Sequence, residues 1–128
     1  MPIERYMVSG ELEPVSHYCH VVKADGFVWL SGMVGMKADG TIPEGTVEQF
    51  EIALKTIDTC LREAGGKPNQ IVKVQIFMTD ISERSSINPI RIEYFGDHKP
   101  ASTLVEVSAL VDPRMRVEIE AVAYIDDK

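Results

Sequence analysis

Charged side chains near the end of the chain are spaced so that they could share one site. Arg116, Glu118 and Glu120 alternate with apolar residues, the period-2 pattern of a strand with one buried face. A glutamate beside a second carboxylate in a partly desolvated cleft has a raised pKa and can move a proton near neutral pH. Glu118 is therefore the candidate catalytic acid or base. The alternative is an interfacial carboxylate paired with a cation of a neighbouring subunit.

Arg116 lies two residues before Glu118 and is expected on the same face of the strand. One hypothesis is that Arg116 binds the negative charge of a small ligand. The alternative is that Arg116 neutralises Glu118.

A second group of reactive side chains lies between residues 17 and 20. Tyr18 could stack on or hydrogen-bond a planar ligand, although an ordinary tyrosine at the edge of the core fits equally well. In a strand, His17 and Cys19 would face one way and Tyr18 and His20 the other, so three ligands would not converge on a metal. No metal site is predicted, and His20 is left as a possible proton donor beside Tyr18.

The elements that must position these residues follow from apolar periodicity and turn signals. Asp25-Gly26 predicts a type I′ turn between strands at 17–24 and 27–31, and Gly32 and Gly35 indicate a bend or a close backbone approach. Thr46 and Gln49 form a capping-box pattern that opens a helix ending near Ala64. Further strands are predicted at residues 1–9, 71–78, 103–107 and 115–125.

A second helix is predicted to begin near Ser82, or more sharply at Asn88 with Pro89 at its first position, and to end at Phe95. Asn88 is most simply its N-cap. The last two strands are expected to pair antiparallel through a loop at 108–114, with Glu106 across from the acidic row. The order predicts an α+β two-layer sandwich, and the mixed outer face of its sheet is typical of a subunit interface.

Composition limits the classes of partner. The 128 residues are long enough for one domain, 1–128, with its own core. A net charge of −7 works against nucleic acid and anionic membranes as partners, and no apolar run is long enough to span a bilayer. Cys19 and Cys60 are predicted to be reduced thiols in a cytoplasmic protein.

The ordered set of segments resembles the YjgF/RidA family of reactive intermediate deaminases, also called endoribonuclease L-PSP-like proteins. The resemblance rests on Leu30-Ser31-Gly32, the run from Ile71 to Asp80, Asn88, and Val105-Glu106-Val107 followed by residues 117–123. It implies a chorismate-mutase-like fold with a mixed six-stranded sheet and two helices on one face. It also implies a homotrimer with ligand clefts between subunits, and hydrolysis of enamines or imines without metal or cofactor.

By position, the resemblance implies that Tyr18, Gly32 and Asn88 bind substrate and that Glu118 orients water. The chain departs from active members at Ser102, where they have a carboxylate-binding arginine, and at Leu104, where they have a cysteine. A hydroxyl cannot replace the fork of a guanidinium. The chain is therefore predicted to belong to an arginine-lacking branch, with aminoacrylate-type activity disfavoured.

The leading functional prediction is a cofactor-free hydrolase or deaminase of a small enamine, imine or related unsaturated amino compound, such as an aminomuconate-like intermediate. The rival is a non-catalytic metabolite-binding or regulatory trimer, which would keep the pocket without turnover. RNA cleavage is a third interpretation, and the acidic balance argues against it.

Overall fold

Six strands and two α-helices make up the computed structural model, which describes residues 2–125. The bounds are β1 Glu4–Tyr6, β2 Val21–Ala24, β3 Phe27–Val34, α1 Thr46–Glu63, β4 Ile71–Met78, α2 Asn88–Phe95, β5 Ala101–Glu106 and β6 Val117–Tyr124. Short 3₁₀ helices cover Pro68–Gln70 and Ile81–Ile87. Met1 and residues 126–128 lie outside the described residues, as do the corresponding ends of the predicted domain and of the predicted first strand.

One mixed sheet contains all six strands, in the order β1-β2-β3-β6-β4-β5. The α+β two-layer prediction is confirmed, but the predicted pairing of the last two strands is wrong. β5 pairs with β4 in parallel, and β6 lies between β3 and β4, antiparallel to both. Period-2 alternation identifies each strand but carries no information about its neighbour, so chain adjacency misled the prediction. Glu106 accordingly lies opposite Met78 and accepts a hydrogen bond from the Ile81 amide.

The predicted hairpin turn is confirmed. Asp25 and Gly26 have φ values of 54° and 85°, the two left-handed residues that a type I′ turn requires. The first strand of the hairpin is shorter than predicted, because residues 17–20 lie before β2 and outside the sheet. The face assignment for His17, Tyr18, Cys19 and His20 therefore has no basis in strand geometry.

The core lies between the sheet and α1. Alternate residues of β6 are buried, and the apolar stripe of α1 packs against them and against β3. Burying these side chains stabilises the fold by roughly 1.5–3 kcal/mol each. The members with no exposed surface include Phe50, Ile57, Leu61, Val74, Ile76, Met78, Val117 and Ile119.

Both helices begin where the sequence predicted, at Thr46 and at Asn88, but their caps differ from the prediction. Gly45 is the N-cap of α1 and makes no side-chain cap, so Thr46 is the first helical residue and the capping box is wrong. Asn88 is likewise inside α2, whose N-cap position is Ile87 because the preceding 3₁₀ helix leads directly into it. Thr46 instead donates a hydrogen bond to Glu83, outside its own helix, and Asn88 is exposed.

The outer face of the sheet carries polar and apolar side chains together. Phe27, Trp29 and Tyr124 are 39%, 43% and 46% exposed, and the Phe27 ring centroid lies 4.9 Å from that of Tyr124 and 5.8 Å from that of Trp29. Exposed aromatic groups of this kind are enriched at protein interfaces. Across residues 2–125, no helix has the length and apolar character needed to cross a membrane.

Candidate functional site

A cleft of about 530 Å³ opens between the segment that precedes β2, the end of β3 and the start of β6. Tyr18, Gly32 and Glu118 all line it, so the structure brings together three of the residues that the resemblance implied. We call it the Glu118 cleft. Its other titratable side chains are Glu13, His20 and Asp112. Among residues 2–125, the cleft is therefore lined by three carboxylates and by neither lysine nor arginine.

Glu118 is fixed between two neighbouring strands. On β6 it pairs with Val34 of β3 and with Phe77 of β4, and its side chain points to the outer face of the sheet. The register of β3 against β6 shifts between Leu30 and Met33, and this irregularity contains Gly32. The carboxylate lies directly over that glycine.

Gly32 is required by this close approach. A Cβ atom at position 32 would lie 3.0 Å from the Glu118 Cδ and 3.3 Å from its Cγ, closer than an undisturbed contact allows. Any larger residue would displace the carboxylate. Of the two possibilities that the sequence left open for Gly32, a bend or a close approach, the structure has the close approach.

The Glu118 carboxyl is only partly accessible to solvent. Burial raises its pKa above the ordinary value, and the negative charge of Glu120 raises it further. Glu118 forms no hydrogen bond or ion pair with any side chain among residues 2–125. A half-buried acid without a protein partner is available to hydrogen-bond water or a ligand.

His20 positions the wall of the cleft and is not a free proton donor. It is buried, its Nδ1 accepts a hydrogen bond from the Val8 amide at 2.8 Å, and its Nε2 donates to the Leu12 carbonyl at 2.8 Å. Because an amide only donates and a carbonyl only accepts, both ring nitrogens of the neutral imidazole are occupied. The prediction of a proton donor at His20 is therefore wrong. The His20 side chain instead fastens the segment before β2 to Val8 and Leu12.

Tyr18 reaches the cleft from this tied segment. The Ser31 Oγ donates to the Cys19 carbonyl at 2.6 Å, and the Ser31 amide donates to the His20 carbonyl at 3.1 Å. These two bonds hold the segment against β3 beside Gly32. The Tyr18 side chain is 44% exposed, which fits a ligand contact better than a place in the core.

The region that carried the metal hypothesis has other bonding partners. Cys19 Sγ donates to the Val21 carbonyl at 3.4 Å, and His20 is occupied as described. Within the part of the chain that the structure describes, no three His, Cys, Asp or Glu side chains are grouped so that they could hold a metal ion.

Arg116 is committed to a structural network, so the hypothesis of a spare positive charge is wrong. Its Nη2 lies 2.9 Å from Glu83 Oε2, and its Nε donates to Thr46 Oγ1 at 2.7 Å. Thr46 in turn donates to Glu83, and the Arg116 amide donates to the Gln49 Oε1 at 2.7 Å. The side chain thus turns towards α1 and the 3₁₀ helix rather than towards the Glu118 carboxylate.

The remaining predicted residues do not reach the Glu118 cleft of their own chain. Asn88 begins α2, while Ser102 and Leu104 lie on β5 at the edge of the sheet. Ser102 pairs with Val74 and Leu104 with Ile76, both buried residues of β4, so they point to the helix side of the sheet. In one chain the proposed substrate residues therefore form two separate groups.

Arg91 is a residue of the second group that the sequence did not indicate. Its Nη2 donates to the Ser102 Oγ at 2.7 Å. The available signal was its spacing from Asn88, because residues three apart share a face of a helix. Without knowing that the fold brings the Arg91 side chain to β5, that spacing could not be connected to Ser102.

The fold and the cleft define a small α+β protein with a half-buried glutamate on a central strand of a mixed sheet, without a side-chain partner among residues 2–125. Comparison with known proteins identifies the family to which this kind of protein belongs. Residues 8–125 match the family model described as endoribonuclease L-PSP. The chain belongs to this family, which is the YjgF/RidA family that the sequence resembled.

Similar proteins span nearly the whole chain. It is 35% identical over 126 residues to the 2-iminobutanoate/2-iminopropanoate deaminase of Mus musculus, with 94% of this chain and 92% of that protein covered. It is 31% identical over 127 residues to the 3-aminoacrylate deaminase RutC of Acinetobacter baylyi, with 98% and 100% covered. The structure of YyfA, a conserved Rid family protein from Yersinia pestis, superimposes with a TM-score of 0.90 at 31% identity, with 97% and 100% covered.

Proposed function

We propose that the protein hydrolyses a small imine, or an enamine through its imine tautomer, to a carbonyl compound and ammonia. The observation that carries this proposal is the Glu118 carboxyl, which is half-buried, has a raised pKa and has no side-chain partner in the described part of the chain. Two relatives of similar length are named as deaminases of an imino acid and of an aminoacrylate. The residue and the relatives support the same reaction class.

The reaction needs two protons to move from oxygen to nitrogen. Glu118 accepts a proton from water as the oxygen bonds to the imine carbon, and the carbon–nitrogen double bond becomes single. The same carboxyl then returns the proton to nitrogen, giving a carbinolamine. It next takes the hydroxyl proton as the carbonyl forms and passes that proton to the nitrogen, which leaves as ammonia. A carboxyl with a raised pKa suits both steps, because it is neither too weak as a base nor too weak as an acid near neutral pH.

The cleft supplies position rather than a reactive cofactor. Its volume of about 530 Å³ accommodates a small molecule, and Tyr18 provides an aromatic ring and a hydroxyl beside the carboxylate. General acid–base catalysis contributes roughly 10²- to 10⁴-fold, so the chain needs no metal to accelerate a reaction whose substrate is already electrophilic.

The second part of the proposal is a homotrimer that completes each cleft. The exposed aromatic side chains of the outer sheet face favour association. Within one chain Ser102 points to the helix side of the sheet and Glu118 to its outer face, so the Asn88 and Ser102 group does not join Glu118. A neighbouring copy would bring that group to the open side of the cleft. The solution mass should then be near three times 14.3 kDa by light scattering.

The test is ammonia release from imines generated in situ from L-alanine and L-2-aminobutanoate by an amino acid oxidase. We expect the protein to raise the rate above that of uncatalysed hydrolysis, and Glu118→Gln to lose roughly 10²- to 10⁴-fold of this activity. Glu51→Gln, an exposed position on α1, is the matched control and should keep full activity.

Two results would contradict the proposal. Full activity in Glu118→Gln would mean that this carboxyl takes no part in the reaction. A particle mass of 14.3 kDa in solution would mean that no cleft is shared between copies. The absence of catalysed release from a broad imine panel would favour a trimer that binds a metabolite without converting it. The Ser102 hydroxyl, in place of an arginine, is the observation that favours this alternative.

A further inference from the structure

We propose that Arg91 is the residue that binds the carboxylate of the substrate, reaching the Glu118 cleft of a neighbouring copy across the β5 edge. This inference rests on the proposed function and deepens it, because it names the residue that recognises the substrate carboxylate in a chain with Ser102. It also gives Ser102 a role, which is to hold the guanidinium in place.

The first observation is that Arg91 is a partly buried cation without an anion. Arg62, Arg114 and Arg116 each have a carboxylate oxygen within 2.9 Å. Arg91 forms no ion pair with any residue in the described range 2–125, and its hydrogen bond goes to the neutral Ser102 hydroxyl. Burial lowers its pKa, but a guanidinium remains charged at every physiological pH. An anion bound there would recover part of the cost of desolvation.

The second observation is the set of donors around the guanidinium. Asn88 lies three residues before Arg91 and therefore on the same face of α2, and its side chain is exposed. Ser102 accepts from Arg91, so its own hydroxyl proton is free to point outwards. An amide, a hydroxyl and the remaining guanidinium donors together match the two oxygens of a carboxylate.

The third observation is the charge of the Glu118 cleft itself. Its carboxylates are those of Glu13, Glu118 and Asp112, of which Asp112 is paired with Arg114, and among residues 2–125 no lysine or arginine lines it. A substrate carboxylate therefore finds no cation in this cleft and needs one from outside it. Arg91 lies beside β5, the last strand of the sheet, where a neighbouring copy can approach it.

The experiment measures binding of pyruvate, which has the carboxylate and trigonal carbon of the smallest imino acid, by NMR titration of the full chain. Arg91→Gln keeps the length of the side chain but loses its charge, so we expect roughly 10- to 100-fold weaker pyruvate binding. Pyruvamide has no charge and should bind the parent and Arg91→Gln equally. Arg84→Gln, an exposed arginine of the neighbouring 3₁₀ helix, is the matched control and should bind pyruvate as the parent does.

A graded series at position 91 distinguishes ligand binding from a structural effect. Arg91→Met keeps much of the side-chain length without charge or hydrogen bonds, and we expect it to weaken pyruvate binding as much as Arg91→Gln while pyruvamide binding stays unchanged. A merely structural contact would weaken the binding of both ligands. Arg91→Lys keeps the charge without the fork and should fall between the parent and Arg91→Gln.

The two proposals fail in different ways. Unchanged pyruvate affinity in Arg91→Gln, or no pyruvate binding by the parent, overturns the role of Arg91 even when ammonia release is catalysed. If Arg91→Gln loses pyruvate affinity and the parent releases no ammonia, the carboxylate site stands and the deaminase proposal fails.

Discussion

The Glu118 cleft and the Arg116 network contain the same kinds of side chain and differ in how they are satisfied. The Arg116 network consists of Thr46, Gln49, Glu83 and Arg116. In the network, the guanidinium, the carboxylate and the amide all have partners within the chain. In the cleft, the Glu118 carboxyl has none among the described residues. A charged residue in a satisfied network stabilises the fold, whereas an unsatisfied one at a cavity is available for chemistry.

Gln49 explains why the network is structural. It has no exposed surface, its Nε2 donates to the carbonyls of Pro43 and Arg114 at 2.7 and 2.9 Å, and its Oε1 accepts from the Arg116 amide. It thereby fastens α1 to the loop before it and to the start of β6. Gly35 has no side chain because Gln49 passes directly over it.

Of the variants that test this difference between the two regions, Gln49→Leu should have the largest effect. This change leaves two carbonyls and one amide without their partner in a buried position, so we expect the free energy of unfolding to fall by about 3–5 kcal/mol. Urea denaturation measures the loss, with Lys55→Ala on the exposed side of α1 as control. The ammonia release of the remaining folded protein should be close to that of the parent, and a proportionate loss of both quantities would contradict a division between the two regions.

Gly32→Ala should have the opposite profile. The new Cβ would meet the Glu118 side chain, which can move aside, so the fold should be nearly as stable as the parent. A displaced carboxylate should cost roughly 10²-fold in the rate of imine hydrolysis. Gly40→Ala, in a turn where a Cβ meets no atom within 4 Å but φ is 91°, is a control that should affect stability and leave the rate intact.

Arg116→Met tests the network at a more exposed point. The side chains of Arg116 and Glu83 are 37% and 34% exposed, so solvent weakens their ion pair. We expect a loss of only about 1 kcal/mol in the free energy of unfolding, and unchanged binding of pyruvate. Weaker pyruvate binding in this variant, by the same NMR titration, would return Arg116 to the binding site and count against Arg91.

The smallest expected effect is a change in pH dependence in Glu120→Gln. The charge of Glu120 is the second cause, after burial, of the raised pKa of Glu118. Removing that charge should lower the Glu118 pKa and move the acid limb of the pH–rate profile to lower pH. An unmoved acid limb would mean that another group controls the rate.

The raised pKa of Glu118 also makes the stability of the fold depend on pH. Because the folded pKa of Glu118 lies above the ordinary 4.5, the folded chain holds this proton more tightly than the unfolded chain. The resulting contribution to stability is complete below the unfolded pKa and is lost as pH rises through the folded pKa. Glu118→Gln should therefore gain stability over the parent on the alkaline side of that window, which urea midpoints at several pH values would measure.

The parts of the fold with strong local signals were predictable. Period-2 alternation identified β4 and β6, the Asp25-Gly26 pair identified its turn, and the apolar stripe of α1 gave a helix of nearly the observed length. Strand neighbours were not predictable, because β5 pairs with a strand that precedes it by a whole helix. The capping box failed because Thr46 and Gln49 bond to Glu83, Pro43 and Arg114, contacts that depend on the packed fold.

The candidate site also had residues that the sequence predicted and residues that it did not. Tyr18, Gly32 and Glu118 were found together because the resemblance carried their positions, and the acidic row gave Glu118 independently. Arg91 was missed and Arg116 was misassigned, since both are surface arginines in the sequence and only their partners distinguish them.

The sequence alone determined which residues are apolar, where the chain turns and that residue 118 is an acid in a half-buried strand, because these properties depend on side-chain type and on spacing within a few positions. Only the tertiary structure decided that β6 lies between β3 and β4, that Arg116 forms an ion pair and that Arg91 forms none with residues 2–125. Those outcomes depend on which distant segments pack together, and packing fixes the distance over which one charge meets another.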